Sequence, residues 1–155
     1  MRSMVAEFAS SIGSAGLADD LGEFDVDTQN ICRTFTEKLL AAHTAYESNY
    51  AAQKARHYYD LYELCGLEEV KKFVGTTEYR QTLLEAKEVT QEHFPGAATP
   101  VGESLADCAA FAPSGNALRQ LDRNYRREMQ VLFLSDEPPT LSDVIARIGG
   151  LLSKL

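Results

Sequence analysis

Residues 28–65 read TQNICRTFTEKLLAAHTAYESNYAAQKARHYYDLYELC, without one glycine or proline. The surrounding glycines, Gly22 and Gly66, bracket 43 such residues. The stretch is rich in Ala, Leu, Glu, Lys and Gln, which lose little freedom in a helix. Asp27 and Thr28 can cap its start, and Gly66 suits a left-handed cap at its end, followed by Leu67. A helix over 28–65 would extend roughly 57 Å at its rise per residue. A compact chain of this length has a diameter of roughly 39 Å. Either the helix bends in the middle or the molecule is elongated.

The apolar pattern divides the stretch in two. Ile31, Phe35, Leu39, Ala42 and Tyr46 fall on one helical face. Ala51, Ala55, Tyr58, Tyr62 and Cys65 fall on another, rotated by roughly 150°. The polar residues Ser48, Asn49, Gln53 and Lys54 lie between them. Such a large rotation excludes one continuous left-handed coiled coil and gives the two halves different neighbours.

Outward from this stretch the punctuation predicts more helices. Residues 67–93 form a second arm, broken near Gly75-Thr76-Thr77, where Thr76 or Thr77 can cap the part that follows. A hairpin turning at Gly66 joins 28–65 to 67–93. Phe94 to Pro100 ends that arm. A short helix is expected over 102–112 and a longer one over 116–134, where Leu118, Leu121, Tyr125, Met129 and Leu132 are spaced by three and four. Asp136-Glu137-Pro138-Pro139 makes a stiff turn. Thr140 and Asp143 then form a capping box for a helix over 141–154. The expectation is an all-α protein of five to six helices, built on a long antiparallel helical hairpin and elongated rather than spherical. Residues 1–27 form an acidic segment, partly ordered at best, ahead of one helical domain over 28–155.

Composition narrows the function classes. The 155 residues carry 23 acidic and 15 basic side chains, a net charge of −8. The first 30 residues alone contribute −5, through Glu7, Asp19, Asp20, Glu23, Asp25 and Asp27 against Arg2. Such a balance disfavours non-specific binding to nucleic acid, which requires neutralised phosphates. No apolar run is long enough for a transmembrane helix. Cys32, Cys65 and Cys108 are an odd, widely spaced set, so buried free thiols in a reducing, intracellular compartment are expected.

No catalytic constellation emerges from the spacing. His43, His57 and His93 lie in separate stretches, and nothing resembles HExxH, a P-loop or a dinucleotide-binding glycine pattern. The acidic run before Asp27 lacks the glycine and the terminal glutamate of a calcium loop. His57 and Asp60, three apart on a helix, read as an ordinary surface or interface pair. No metal, cofactor or catalytic residue is therefore expected.

Three features suggest contact with other molecules. Tyr46, Tyr50, Tyr58, Tyr59 and Tyr62 crowd one stretch, and tyrosine is enriched at interfaces. Arg119, Arg123, Arg126 and Arg127 line one flank of a helix and can meet carboxylates or phosphates. The acidic segment, through Asp19, Asp20, Glu23, Asp25 and Asp27, can meet a basic surface. The C-terminal helix closes the protein's own core, and its few cations make peripheral membrane contact weak. These features point to a non-enzymatic helical scaffold or accessory subunit, in a hetero-complex or homo-oligomer. An acidic inhibitor, immunity protein or chaperone masking a basic site is the alternative. A small-ligand carrier or enzyme with a pocket between helices comes third.

Overall fold

The computed structural model describes residues 29–93, 105, 108–133 and 137–155. Among them the chain forms six α-helices, α1 Ile31–Glu47, α2 Ala55–Gly66, α3 Glu68–Phe73, α4 Thr77–His93, α5 Gly115–Leu132 and α6 Leu141–Leu152. Short 3₁₀ turns cover Ala51–Lys54 and Ala109–Phe111. No strand occurs among the described residues, so the all-α class and the number of helices stand as the sequence predicts.

The long stretch takes the bent alternative. It is two helices rather than one rod, and the break lies at Ser48-Asn49-Tyr50. Asn49 adopts the left-handed conformation, with φ of 59°. The Tyr50 N–H donates to Ala45 O at 2.8 Å, and the Asn49 N–H donates to Tyr46 O at 3.0 Å. That pair of bonds is a Schellman ending, in which asparagine fills the place usually held by glycine. The side-chain amide of Asn tolerates the left-handed region where most residues do not. Asn49→Val is expected to cost about 1–2 kcal/mol, the penalty for a branched Cβ in that region. Asn49→Gly should leave the protein as stable or slightly more so. The urea midpoints of the two variants check this.

Elsewhere the helix ends depart from expectation in detail. The α1 cap is Asn30, whose side chain accepts from the Cys32 N–H at 2.7 Å and the Arg33 N–H at 3.3 Å. Asp27 and Thr28 lie outside the described residues. Gly66 is helical without a positive φ; among the described residues the left-handed glycines are Gly75 and Gly115. Gly75, with φ of 88°, makes the expected break before α4, and a Cβ there would sit 3.1 Å from Lys154 O. Thr76 caps α4 by accepting from the Tyr79 N–H at 3.1 Å. The described part of 102–112 includes a 3₁₀ turn over Ala109–Phe111 rather than a regular helix. The capping box of Thr140 and Asp143 is formed as read.

The α1–α2 pair lies at the centre. Helices α3 and α4 pack on α1, and α5 and α6 pack on α2. The buried core joins Phe35 and Leu39 of α1, Tyr58 and Leu61 of α2, Val70 of α3, Leu121 and Met129 of α5, and Val144 and Ile148 of α6. The two apolar faces of 28–65 are therefore both used, and chain reversal at Asn49 brings them into one core. The arm at 77–93 lies along α1, where Arg33 bridges to Glu85 at 3.3 Å. The apolar face of α6 is covered by α2, as expected of a helix that closes the core.

Candidate functional site

Reversal at Asn49 makes α1 and α2 antiparallel neighbours. Thr34 and Lys38 are one turn apart on α1, and Asp60 and Leu64 are one turn apart on α2. Both cross-helix pairs, Lys38 with Asp60 and Thr34 with Leu64, are centred on the turn. Together with Arg56, His57 and Glu63 they line an open cleft of about 590 Å³. The core faces of the two helices point away from it: Phe35 and Leu39 on α1, and Tyr58 and Leu61 on α2, are fully buried.

Three polar groups meet in this cleft. Lys38 Nζ donates to Asp60 Oδ2 at 2.5 Å. The same Nζ lies 3.4 Å from His57 Nδ1. His57 Nδ1 and Asp60 Oδ2 are 3.7 Å apart. The side chains of Lys38, His57 and Asp60 keep 30%, 24% and 23% of their exposure, so each is partly withdrawn from water yet reachable. An ion pair so placed is screened less than one on the open surface. Burial, then the Lys38 ammonium, hold the His57 imidazole below its usual 6.5, against the pull of Asp60 and with help from Lys54. His57 is thus neutral at pH 7.

A second groove, of about 430 Å³, lies between α5 and the turn into α6. Tyr125, Met129, Phe133, Pro138 and Pro139 line it, with Arg126 at its edge. Arg126 is engaged by Asp122 at 3.0 Å. Asp122, Arg126 and Glu137 bring both charges to this groove too, but its lining is richer in apolar side chains than that of the α1–α2 cleft.

The residues singled out from sequence spread across the molecule. Tyr58 is fully buried, and its hydroxyl donates to Ala110 O at 2.9 Å. Tyr59 meets Phe133 edge-on at 5.2 Å, and Tyr62 lies under the Arg147 guanidinium at 4.0 Å. Tyr46 and Tyr50 are half-buried. Arg119, Arg123, Arg126 and Arg127 are exposed on α5, where Arg126 pairs with Asp122 and Arg127 approaches Glu128 at 4.0 Å. Asp19, Asp20, Glu23, Asp25 and Asp27 lie outside the described residues. All three cysteines are buried, and Cys108 Sγ lies 2.6 Å from His43 Nδ1. Sequence reasoning paired His57 with Asp60 but missed Lys38. The signal was available only with the turn at Asn49 known, because 22 residues separate Lys38 from Asp60.

Residues 4–147 match the family model described as nucleotidyl transferase AbiEii toxin, type IV toxin–antitoxin system. That match spans most of the chain. The chain belongs to the AbiEii family. No curated protein matches it, and no solved structure matches it.

Membership corrects the functional expectation. AbiEii is a family of enzymatic toxins, so a non-enzymatic scaffold or accessory subunit is the wrong reading, as is an acidic inhibitor, immunity protein or chaperone. The expectation that the chain is not an enzyme falls with it. Nothing in the local spacing of the sequence signals that activity. A toxin–antitoxin system does agree with the broader expectation of a protein partner. No described helix is long and apolar enough to cross a membrane.

Nucleotidyl transfer is phosphoryl chemistry, in which divalent cations commonly bridge phosphate oxygens. Among the described residues no group of three or more His, Cys, Asp or Glu side chains is placed to hold a metal ion. Asp60, the carboxylate of the polar cluster, is already engaged by Lys38. The described residues therefore do not make a metal site. What they offer is a cation held in place beside an imidazole.

Proposed function

We propose that this chain performs the nucleotidyl transfer for which the AbiEii family is described, and that its α1–α2 cleft handles the nucleotide. In that reaction an acceptor oxygen forms a bond to the α-phosphorus of a nucleoside triphosphate. The bond from that phosphorus to the bridging oxygen breaks, and pyrophosphate leaves with the electron pair. Negative charge must be held at the phosphates throughout. Lys38 brings an ammonium with three donors to the cleft, and Arg56 adds a second cation at its edge. Asp60 holds Lys38 in a fixed direction before nucleotide arrives, so little reorganisation is needed when phosphate replaces it. The counterpart that a toxin–antitoxin system supplies is an antitoxin protein.

The observation that carries this reading is the Lys38–Asp60 pair, set in a cleft of nucleotide size on a chain of this family. The test is label transfer by the full chain from each of the four ribonucleoside triphosphates, with cell extract as acceptor. Label at the α-phosphate should become acid-insoluble, and label at the γ-phosphate should not. Asp60→Asn, which removes the carboxylate charge that fixes Lys38 and leaves only neutral acceptors beside it, is expected to slow transfer about tenfold or more, the worth of one charge-assisted hydrogen bond. Transfer of γ-label, or an Asp60→Asn variant as fast as the parent, overturns the assignment.

A further inference from the structure

The geometry of the cleft gives His57 a task beyond lining it. An ammonium has donors and no acceptor, so the 3.4 Å approach of Lys38 Nζ to His57 Nδ1 is a hydrogen bond only if Nδ1 carries a lone pair. That demands a neutral ring with its proton on Nε2. The 3.7 Å from Nδ1 to Asp60 Oδ2 agrees, since it is too long for a bond donated by Nδ1. Sequence spacing alone pairs His57 with Asp60; the folded chain pairs each of them with Lys38.

We propose that His57 is the positioning residue for Lys38, accepting from its ammonium through Nδ1 so that the cation is held between imidazole and carboxylate. This rests on the reading of the cleft as the nucleotide site. Protonation reverses the arrangement. A proton on Nδ1 removes the acceptor, places a positive charge beside Lys38, and turns the ring into a donor for Asp60. Lys38 is then released from both partners. The charged groups around the imidazole are Lys38 from α1, Lys54 from the 3₁₀ turn, and Arg56, Asp60 and Glu63 from α2 itself. The cluster is therefore poised with Lys38 in place at neutral pH and displaced in acid. Nucleotide binding should weaken as pH falls through a midpoint below 6.5.

Two measurements on the full chain test this separately. The first is the long-range proton–nitrogen spectrum of the imidazoles over roughly pH 5 to 8. His57 should be the Nε2–H tautomer with a midpoint below 6.5. Lys38→Met should raise that midpoint, since the pull of Asp60 is then opposed only by burial and the more weakly acting Lys54. An Nδ1–H ring at neutral pH, or a midpoint that Lys38→Met leaves in place, overturns the proposal whatever the cleft binds. The second is affinity for the fluorescent N-methylanthraniloyl derivatives of ATP and GTP, with circular dichroism to show that each variant is folded. His57→Leu should weaken binding about tenfold, the size of one charge-assisted hydrogen bond. His57→Asn, whose Oδ1 replaces Nδ1 as acceptor, should restore affinity and abolish the loss in acid. If Lys38→Met loses binding while His57→Leu does not, the positioning role is wrong and the cleft reading stands. If neither variant changes affinity, the cleft reading fails, and the spectrum still decides whether His57 and Lys38 are coupled.

Discussion

Lys38→Met is expected to lower nucleotidyl transfer by about a hundredfold or more, the usual cost of removing a group that stabilises developing charge. The effect should be catalytic rather than structural. Lys38 keeps 30% of its side-chain exposure and is not one of the buried residues of the core. Its ion pair with Asp60 is partly exposed, and such pairs are worth about 1 kcal/mol or less to stability. Methionine keeps the length of the apolar stem, so packing against α2 changes little. The variant should therefore show the parent's helical signal and nearly the parent's urea midpoint while losing transfer of α-label. Lys38→Arg should recover only part of the rate, because a planar guanidinium cannot sit as a point charge between Asp60 and His57. A Lys38→Met variant that transfers label at the parental rate would remove the cleft from the reaction.

Tyr58→Ala is expected to be the most damaging substitution for folding, costing about 3–5 kcal/mol as for other buried aromatic truncations. A domain of this kind has roughly 5–15 kcal/mol of stability in total, so the loss is a large share of it. The ring is fully buried, with Phe111 6.4 Å away, and its hydroxyl satisfies the carbonyl of Ala110. Burial also drives the phenol well above its ordinary range, so it remains a donor at every accessible pH. Tyr58→Phe keeps the ring and leaves that carbonyl unpaired, for a cost of about 1–3 kcal/mol. Urea unfolding followed by circular dichroism separates the two. Equal losses from both variants would mean that the hydrogen bond, not the packing, dominates.

The Tyr58 result also bears on the tyrosine cluster. Crowding of Tyr46, Tyr50, Tyr58, Tyr59 and Tyr62 suggests an interface when the stretch is taken as one rod with spare surface. Folded back at Asn49, the same stretch makes its own contacts: Tyr58 to Ala110, Tyr59 to Phe133, Tyr62 to Arg147. Each of these partners lies at least 50 residues further along the chain. No period or spacing within the stretch could reveal them.

Local chemistry was legible in the chain as written. Helical periodicity, the break at Gly75, the capping box of Thr140 and Asp143, and the all-α class all depend on residues within a turn or two of one another. Even the two apolar faces of 28–65 were visible, together with the polar residues between them. What was not legible was the reversal between those faces, because it is made by Asn49 in a conformation that glycine usually signals. From that one turn follow the pairing of α1 with α2 and the meeting of Lys38, His57 and Asp60. Only the tertiary structure brought the proposed site together. Its charges come from two helices, and no local rule states which side chains will face each other once the chain has turned back.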